Sequence, residues 1–204
     1  IRQARQSIKI QTFIWTNDEV GSLMMYELIE AARRGVRVQI IADHIASDKD
    51  PGTVAFLATV HPNLQIKHYR PAANRINPSV FRLALVSLRS LRSLNQRMHN
   101  KVMLVDDAVL ITGGRNIENT YYGFATEMNY RDRDALAVGG PAVADAVKSF
   151  QMFWDYRYSI ASRDLVDVAL TIREGRFRKL ATKEDFALGD AFAELEQQAD
   201  DPLE

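Results

Sequence analysis

Strand-like and helix-like segments alternate along this chain, and their order constrains the fold more than any other feature of the sequence. Residues 7–15 and 36–42 have the period-two pattern typical of β-strands, and residues 22–34 between them repeat apolar side chains at helical spacing. The pattern continues with a helix at 53–60, strands at 64–69, 101–105, 108–112 and 130–138, and a helix at 141–156. This order predicts an α/β fold with a mixed, largely parallel sheet flanked by helices on both faces.

The length fits one ordinary domain, which we place at residues 1–160 of the 204. Residues 161–204 give a weaker pattern, with an acidic, poorly amphipathic helix predicted at 186–198. We interpret them as a C-terminal helical and acidic segment, a linker toward a second half. The chain begins with Ile1 and not with Met, so we expect it to be a piece of a longer protein. It contains no run of the ~20 apolar residues that a membrane span needs.

A basic block stands out against a net charge of zero. Between residues 70 and 101 there are basic residues and no acidic ones, and a helix predicted at 79–94 carries Arg82, Arg89 and Arg92 on one side. Such a block favours a phosphate-bearing partner, namely anionic lipid or nucleic acid, although a plain solvated helix face remains an alternative. Cysteine is absent, which excludes disulfides, thiolate metal sites and a cysteine nucleophile.

The stretch from residue 99 to 116 carries the chemistry, in the pattern H-x-K-x4-D-x6-G-G-x-N. If residues 99–101 are extended, His99 and Lys101 point to the same side. Asp106 is suited to fixing a turn, while Gly113 and Gly114 allow close approach of the backbone to a ligand.

Asn116 adds an amide donor beside the same predicted pocket. An imidazole can attack phosphorus or protonate a leaving group, and an ammonium and an amide can hold the non-bridging oxygens of a phosphodiester. The remaining histidines are scattered, so we expect neither a metal nor another cofactor.

This pattern resembles the HKD motif of the phospholipase D superfamily. Other segments are similar to the bacterial cardiolipin synthase-like branch: AARRGVRV at residues 31–38, MHNK at 98–101, GGRNI at 113–117 and YRDRD at 130–134. The resemblance implies a phospholipase D half-domain in which His99, Lys101 and Asp106 are catalytic and Asn116, Gly113 and Gly114 bind substrate.

The resemblance also implies a carboxylate downstream of the motif that orients the histidine. The candidates are Glu127, Asp132 and Asp134, of which we favour the last two, although a salt bridge to Arg131 or Arg133 is nearly as good an explanation for either. Enzymes of this superfamily use two HKD motifs that face each other, and this chain has one. The second is expected in the missing half of the same protein or in a homodimer partner.

The resemblance implies transfer of a phosphatidyl group between a phospholipid and an alcohol through a phosphohistidine, in a bacterial protein that lies peripherally at an anionic membrane surface. Two alternatives stay open: a metal-independent phosphodiesterase or nuclease of the same superfamily, and a non-catalytic half-domain. Nucleic acid is the less favoured partner, because few aromatic residues lie among the arginines between 75 and 97. The sequence does not settle the acceptor alcohol or which histidine of the pair is the nucleophile.

Overall fold

The structure is a computed structural model that describes residues 1–44, 47, 49–82, 84, 96–177, 179 and 184–186. Most of the predicted basic helix at 79–94 and most of the predicted acidic helix at 186–198 lie outside these residues. The strands form one sheet in the order β6-β5-β4-β1-β2-β3-β7. They are β1 (Ser7–Thr12), β2 (Arg37–Asp43), β3 (Leu64–Tyr69), β4 (Val102–Val105), β5 (Val109–Gly113), β6 (Asp134–Val138) and β7 (Ser159–Ala161). The helices are α1 (Glu19–Arg33), α2 (Pro51–Leu57), α3 (Gly140–Trp154) and α4 (Val166–Glu174).

The sheet is mixed, as predicted, with its parallel part at the centre. β1, β2 and β3 pair in parallel because α1 and α2 carry the chain back between them. The other pairings among the described strands, β1–β4, β4–β5, β5–β6 and β3–β7, are antiparallel, so the parallel share is smaller than expected. One cause is the three-residue connection between β4 and β5, a tight hairpin turn in which Asp106 and Asp107 both have positive φ.

Helices cover both faces of the sheet, which confirms the predicted α/β class. α1 begins at its N-cap Asp18, whose carboxylate accepts from the backbone of Gly21, and the chain leaves it through Gly35 at a φ of 97°. The buried side of α1, which includes Leu28 and Ile29, belongs to the core of one face, and the buried residues of α3, which include Phe150, belong to the core of the other. The central strands are therefore held from both sides.

Residues beyond 160 contribute to the same packed body. β7 pairs with β3, and Leu165 and Val168 form a buried cluster with Val54, Ala55 and Ile76. The role of residues 161–204 as a linker toward a second half stays a prediction. Among the described residues, no helix is both long and apolar enough to cross a bilayer.

A buried histidine should make the stability of the fold sensitive to acid. His68 on β3 is buried with neither ring nitrogen hydrogen-bonded, and burial, reinforced by His44, lowers its pKa from 6.5 to about 3. Between those values the unfolded chain binds a proton that the folded chain does not. We therefore expect His68 to lower the free energy of unfolding by about 1.4 kcal/mol per pH unit as the pH falls through this window.

Urea unfolding at a series of pH values measures this slope. The His68→Phe variant should show a shallower slope than the parent chain, whereas His61→Gln should keep the parent slope, because His61 lies before β3 and is only half-buried. Equal slopes for His68→Phe and the parent chain would contradict the assignment.

Candidate active site

His99 and Lys101 lie where β4 enters the sheet, beside the end of β1. The antiparallel register pairs Gln11 of β1 with Val102, which brings residues 99–101 next to Phe13. The His99 ring contacts the Phe13 ring with a centroid separation of 4.7 Å, and the Lys101 Nζ atom lies 5.4 Å from the centre of the Phe13 ring. The Phe13 ring therefore lies against both His99 and Lys101.

The two residues meet, although not through the strand geometry that the sequence suggested. β4 begins at Val102, so both precede the strand. The Lys101 side chain instead turns back: Nζ donates to the His99 carbonyl oxygen at 2.9 Å and lies 3.1 Å from each ring nitrogen. The Lys101 ammonium and the His99 imidazole therefore lie in contact at the edge of the sheet.

Lys101 is a buried cation beside an exposed imidazole. The residue is 9% exposed, whereas His99 is open to solvent. Burial lowers the pKa of Lys101 below its ordinary value, and the negative charge of Asp132 partly opposes that effect. A cation with few water molecules around it interacts strongly with an incoming anion.

Asp43, at the carboxyl end of β2, holds the segment that carries His99. Its carboxylate is fully buried, forms an ion pair with the Arg97 guanidinium at 3.2 Å and accepts a hydrogen bond from the Met98 backbone nitrogen at 3.0 Å. The sequence interpretation did not assign it to the site. The sequence did contain a signal for Asp43, because this residue ends a predicted strand and polar residues at the carboxyl ends of parallel strands lie at one edge of a sheet.

Asn116 is 2% exposed and lies beside the loop that follows β1. Its Oδ1 atom accepts from the Ile14 backbone nitrogen at 3.2 Å, and its Nδ2 atom donates to the Tyr121 hydroxyl at 2.8 Å. Those bonds tie the loop after β1 to the segment after β5. Among the described residues, no hydrogen bond joins Asn116 to His99 or Lys101.

Asp106 lies at the opposite end of β4 from Lys101, so it is not part of the pocket. Its carboxylate accepts hydrogen bonds from the backbone nitrogens of Arg5, Gln6 and Ser7. Burial works to raise the pKa of Asp106, but these hydrogen bonds outweigh it and lower the pKa below its ordinary value. The predicted capture of backbone N–H groups is present, although they belong to the start of β1 and not to the turn.

Gly113 and Gly114 make room for neighbouring parts of the protein, and their role in binding substrate stays a prediction. A Cβ atom on Gly113 would lie 2.6 Å from the Arg133 carbonyl oxygen, and one on Gly114 would lie 2.7 Å from the Asp132 carboxyl carbon. β6 starts at Asp134, so Asp132 precedes it, and the Asp134 carboxylate lies 3.4 Å from the Arg115 guanidinium. Within the described residues, neither carboxylate hydrogen-bonds to His99, and the orienting role stays a proposal.

The two glycines predict a matched pair of variants. Gly113→Ala would place a Cβ against the backbone of β6, so we expect the free energy of unfolding to fall by about 2 kcal/mol or more. Gly114→Ala meets only the Asp132 side chain, which can rotate, and should have the smaller effect. Urea unfolding of both variants measures the difference, and the reverse ranking would contradict this description.

A hollow of about 250 Å³ opens beside Lys101. Its lining includes Thr12, Arg115, Tyr122 and Asp134, whereas His99 and Asn116 do not line it. Of the three motif residues, Lys101 alone lines this hollow.

Solved structures share this fold. NucT from Helicobacter pylori has a TM-score of 0.55 at 17% identity, over 78% of this chain and 84% of that one. The phosphatidylserine synthase of Haemophilus influenzae has a TM-score of 0.50 at 13% identity, over 97% of this chain and 41% of that one. At these identities the likeness concerns the fold alone.

The sequence comparisons identify the family of the chain. Residues 1–154 match the family model described as cardiolipin synthase, PLD-like domain, and the chain belongs to that family. Cardiolipin synthase C of Escherichia coli is 33% identical over 169 residues, which cover 81% of this chain and 33% of that protein. An uncharacterized protein of Helicobacter pylori is 36% identical over 160 residues, covering 78% and 31%. The chain thus spans about a third of the length of these relatives.

Proposed function

We propose that this chain supplies one half of an active site that transfers a phosphatidyl group from a phospholipid to an alcohol. The observation that carries the proposal is the contact between the Lys101 ammonium and the His99 imidazole at the sheet edge. This pair offers a nucleophile or proton donor next to a fixed positive charge, which is what displacement at a phosphodiester requires. The cardiolipin synthase relatives support a phospholipid as the substrate.

The proposed reaction has two displacements. In the first, an imidazole nitrogen attacks phosphorus, the N–P bond forms, and the bond to the leaving alcohol oxygen breaks as a second imidazolium donates its proton to that oxygen. In the second, the acceptor hydroxyl gives its proton to the now neutral second imidazole and attacks phosphorus, and the N–P bond breaks. Lys101 donates to a non-bridging oxygen in both steps. His99 serves as either the nucleophile or the acid.

The second imidazole has to come from outside this chain. Of its four histidines, His44 and His68 are buried, and His61 precedes β3 at the edge opposite His99. A second half of the same protein or a homodimer partner would supply the group, and the intact protein would act peripherally at an anionic membrane. The exposed position of His99 is compatible with such a partner.

Incubation of the intact protein with phosphatidylglycerol tests this function. We expect a lipid product that carries a second phosphatidyl group, together with released glycerol, and loss of both in the His99→Ala variant. Single-stranded DNA and RNA serve as the alternative substrates. Cleavage of nucleic acid with no change in phosphatidylglycerol would replace the proposal with a nuclease, and no reaction of either kind would leave a non-catalytic half-domain.

A further inference from the structure

Arg70 stands at the carboxyl end of β3 inside a group of tyrosines. Its guanidinium lies 5.7 Å from the ring centre of Tyr69, 5.4 Å from that of Tyr156 and 4.8 Å from that of Tyr158. The Nη2 atom donates to the Tyr156 hydroxyl at 2.7 Å, and Nε donates to the Tyr69 hydroxyl at 3.3 Å. These contacts fix the plane of the guanidinium, and within the described part of the chain they use two of its five N–H groups.

A second guanidinium shares the same ring. Arg157 lies 4.6 Å from the centre of the Tyr158 ring, so this tyrosine contacts two cations. Neither arginine forms an ion pair with a carboxylate in the part of the chain that the structure describes. Both guanidiniums thus lie within 5 Å of one ring centre, and a guanidinium without a carboxylate partner is suited to binding a phosphate group.

The backbone of Arg70 is strained. Its φ is +48°, in the left-handed region that glycine enters freely and that a long side chain adopts at a cost in free energy. A glycine would suit the turn better, so the turn alone does not explain an arginine here. Strain of this kind is typical of positions where the side chain has a function.

This arginine pair lies on the same edge of the sheet as His99. Tyr69 pairs with Asp43, the residue that anchors the His99 segment, and β3 is separated from β1 by β2 alone. With neighbouring strands about 4.8 Å apart, the ends of β1 and β3 are on the order of 10 Å apart. One extended ligand could therefore contact both places.

We propose that Arg70 and Arg157 bind the phosphodiester group of the acceptor phospholipid, whose glycerol head group then extends toward His99. This inference rests on the proposed function, since it assigns the second lipid of that reaction. A lipid is favoured over nucleic acid because the tyrosine rings already contact the guanidiniums and one another, which leaves them poorly placed to stack on bases. Tyrosine and arginine are also well suited to a lipid–water boundary.

The Arg70 Nε–H signal in NMR spectra of the 204-residue chain gives a local reading of binding. The signal is assigned by its loss in Arg70→Gly, a variant that should fold because glycine relieves the strained φ. Titration with monomeric short-chain phosphatidylglycerol should shift this signal saturably. Arg157→Gln should weaken the binding by about tenfold or more. Arg37→Gln, at the amino end of β2 on the opposite edge, should leave it unchanged.

Parallel titrations with inorganic phosphate and with single-stranded DNA separate the sources of the phosphate. A shift with phosphatidylglycerol that Arg157→Gln weakens supports the site. A response to inorganic phosphate or DNA without one to the lipid would overturn it, as would an unmoved Arg70 signal. Binding is measured without turnover, so the two proposals can fail separately. If the Arg70 signal does not move but His99-dependent transfer occurs, only the Arg70–Arg157 site is ruled out. If the lipid binds but no such transfer occurs, only the proposed function is ruled out.

Discussion

The intact protein with His99→Ala should lose phosphatidyl transfer by about 10³-fold or more, because neither step of the proposed reaction proceeds without the imidazole. His99 is exposed and contributes little to the core, so the variant should fold normally, with an unchanged thermal midpoint. Initial rates of lipid product formation measure the effect. His61→Ala is the matched control, since it also removes an imidazole but from the opposite edge of the sheet. A His99→Ala variant that keeps a tenth of the parent rate would contradict the assignment.

The second large effect is expected at Asp43, where stability and activity should fall together. Asp43→Ala removes the carboxylate that pairs with the Arg97 guanidinium and that accepts from the Met98 backbone nitrogen. Because one partner of a buried ion pair is removed, we expect the free energy of unfolding to fall by about 3 kcal/mol. The segment before β4 should shift as well, which lowers the rate of transfer through misplacement of His99.

Urea unfolding of the 204-residue chain measures the effect on stability. Asp43→Asn keeps an acceptor for Met98 and removes only the charge, so it should lie between the parent and Asp43→Ala. Asp145→Asn removes a carboxylate from an exposed pair with Lys148 and should leave the stability almost unchanged. If Asp43→Ala is no less stable than Asp145→Asn, then Asp43 is not the anchor described above.

Much of the fold was predictable from local patterns. The alternation of β1, α1, β2, α2 and β3, the N-cap at Asp18 and the helix end at Gly35 follow from the spacing of apolar residues and from backbone preferences. Strand limits were less accurate, because the predicted strand from residue 7 ends at Thr12 and not at Trp15. Trp15 instead makes an isolated bridge to Ile117, a partner far away in the sequence.

The geometry around the motif was only partly predictable. The motif correctly brought His99 and Lys101 together, but their contact comes from a side chain that turns back before the strand begins. The carboxylate of Asp106 accepts hydrogen bonds from the backbone at the start of β1, about a hundred residues earlier, and Gly113 allows the close approach of β6. Contacts of this kind depend on the strand order, which a local pattern does not specify.

Direct observation of the His99 ring tests the central claim, that His99 and Lys101 together receive a phosphoryl group. We would follow the imidazole nitrogens of the ¹⁵N-histidine-labelled chain by NMR during titration with vanadate, which imitates the pentacoordinate phosphorus of the displacement. The His99 signals should shift saturably, those of His44, His61 and His68 should not, and Lys101→Gln should weaken the binding by about tenfold. His99 signals that stay in place, or that move equally with sodium chloride at the same ionic strength, would contradict it.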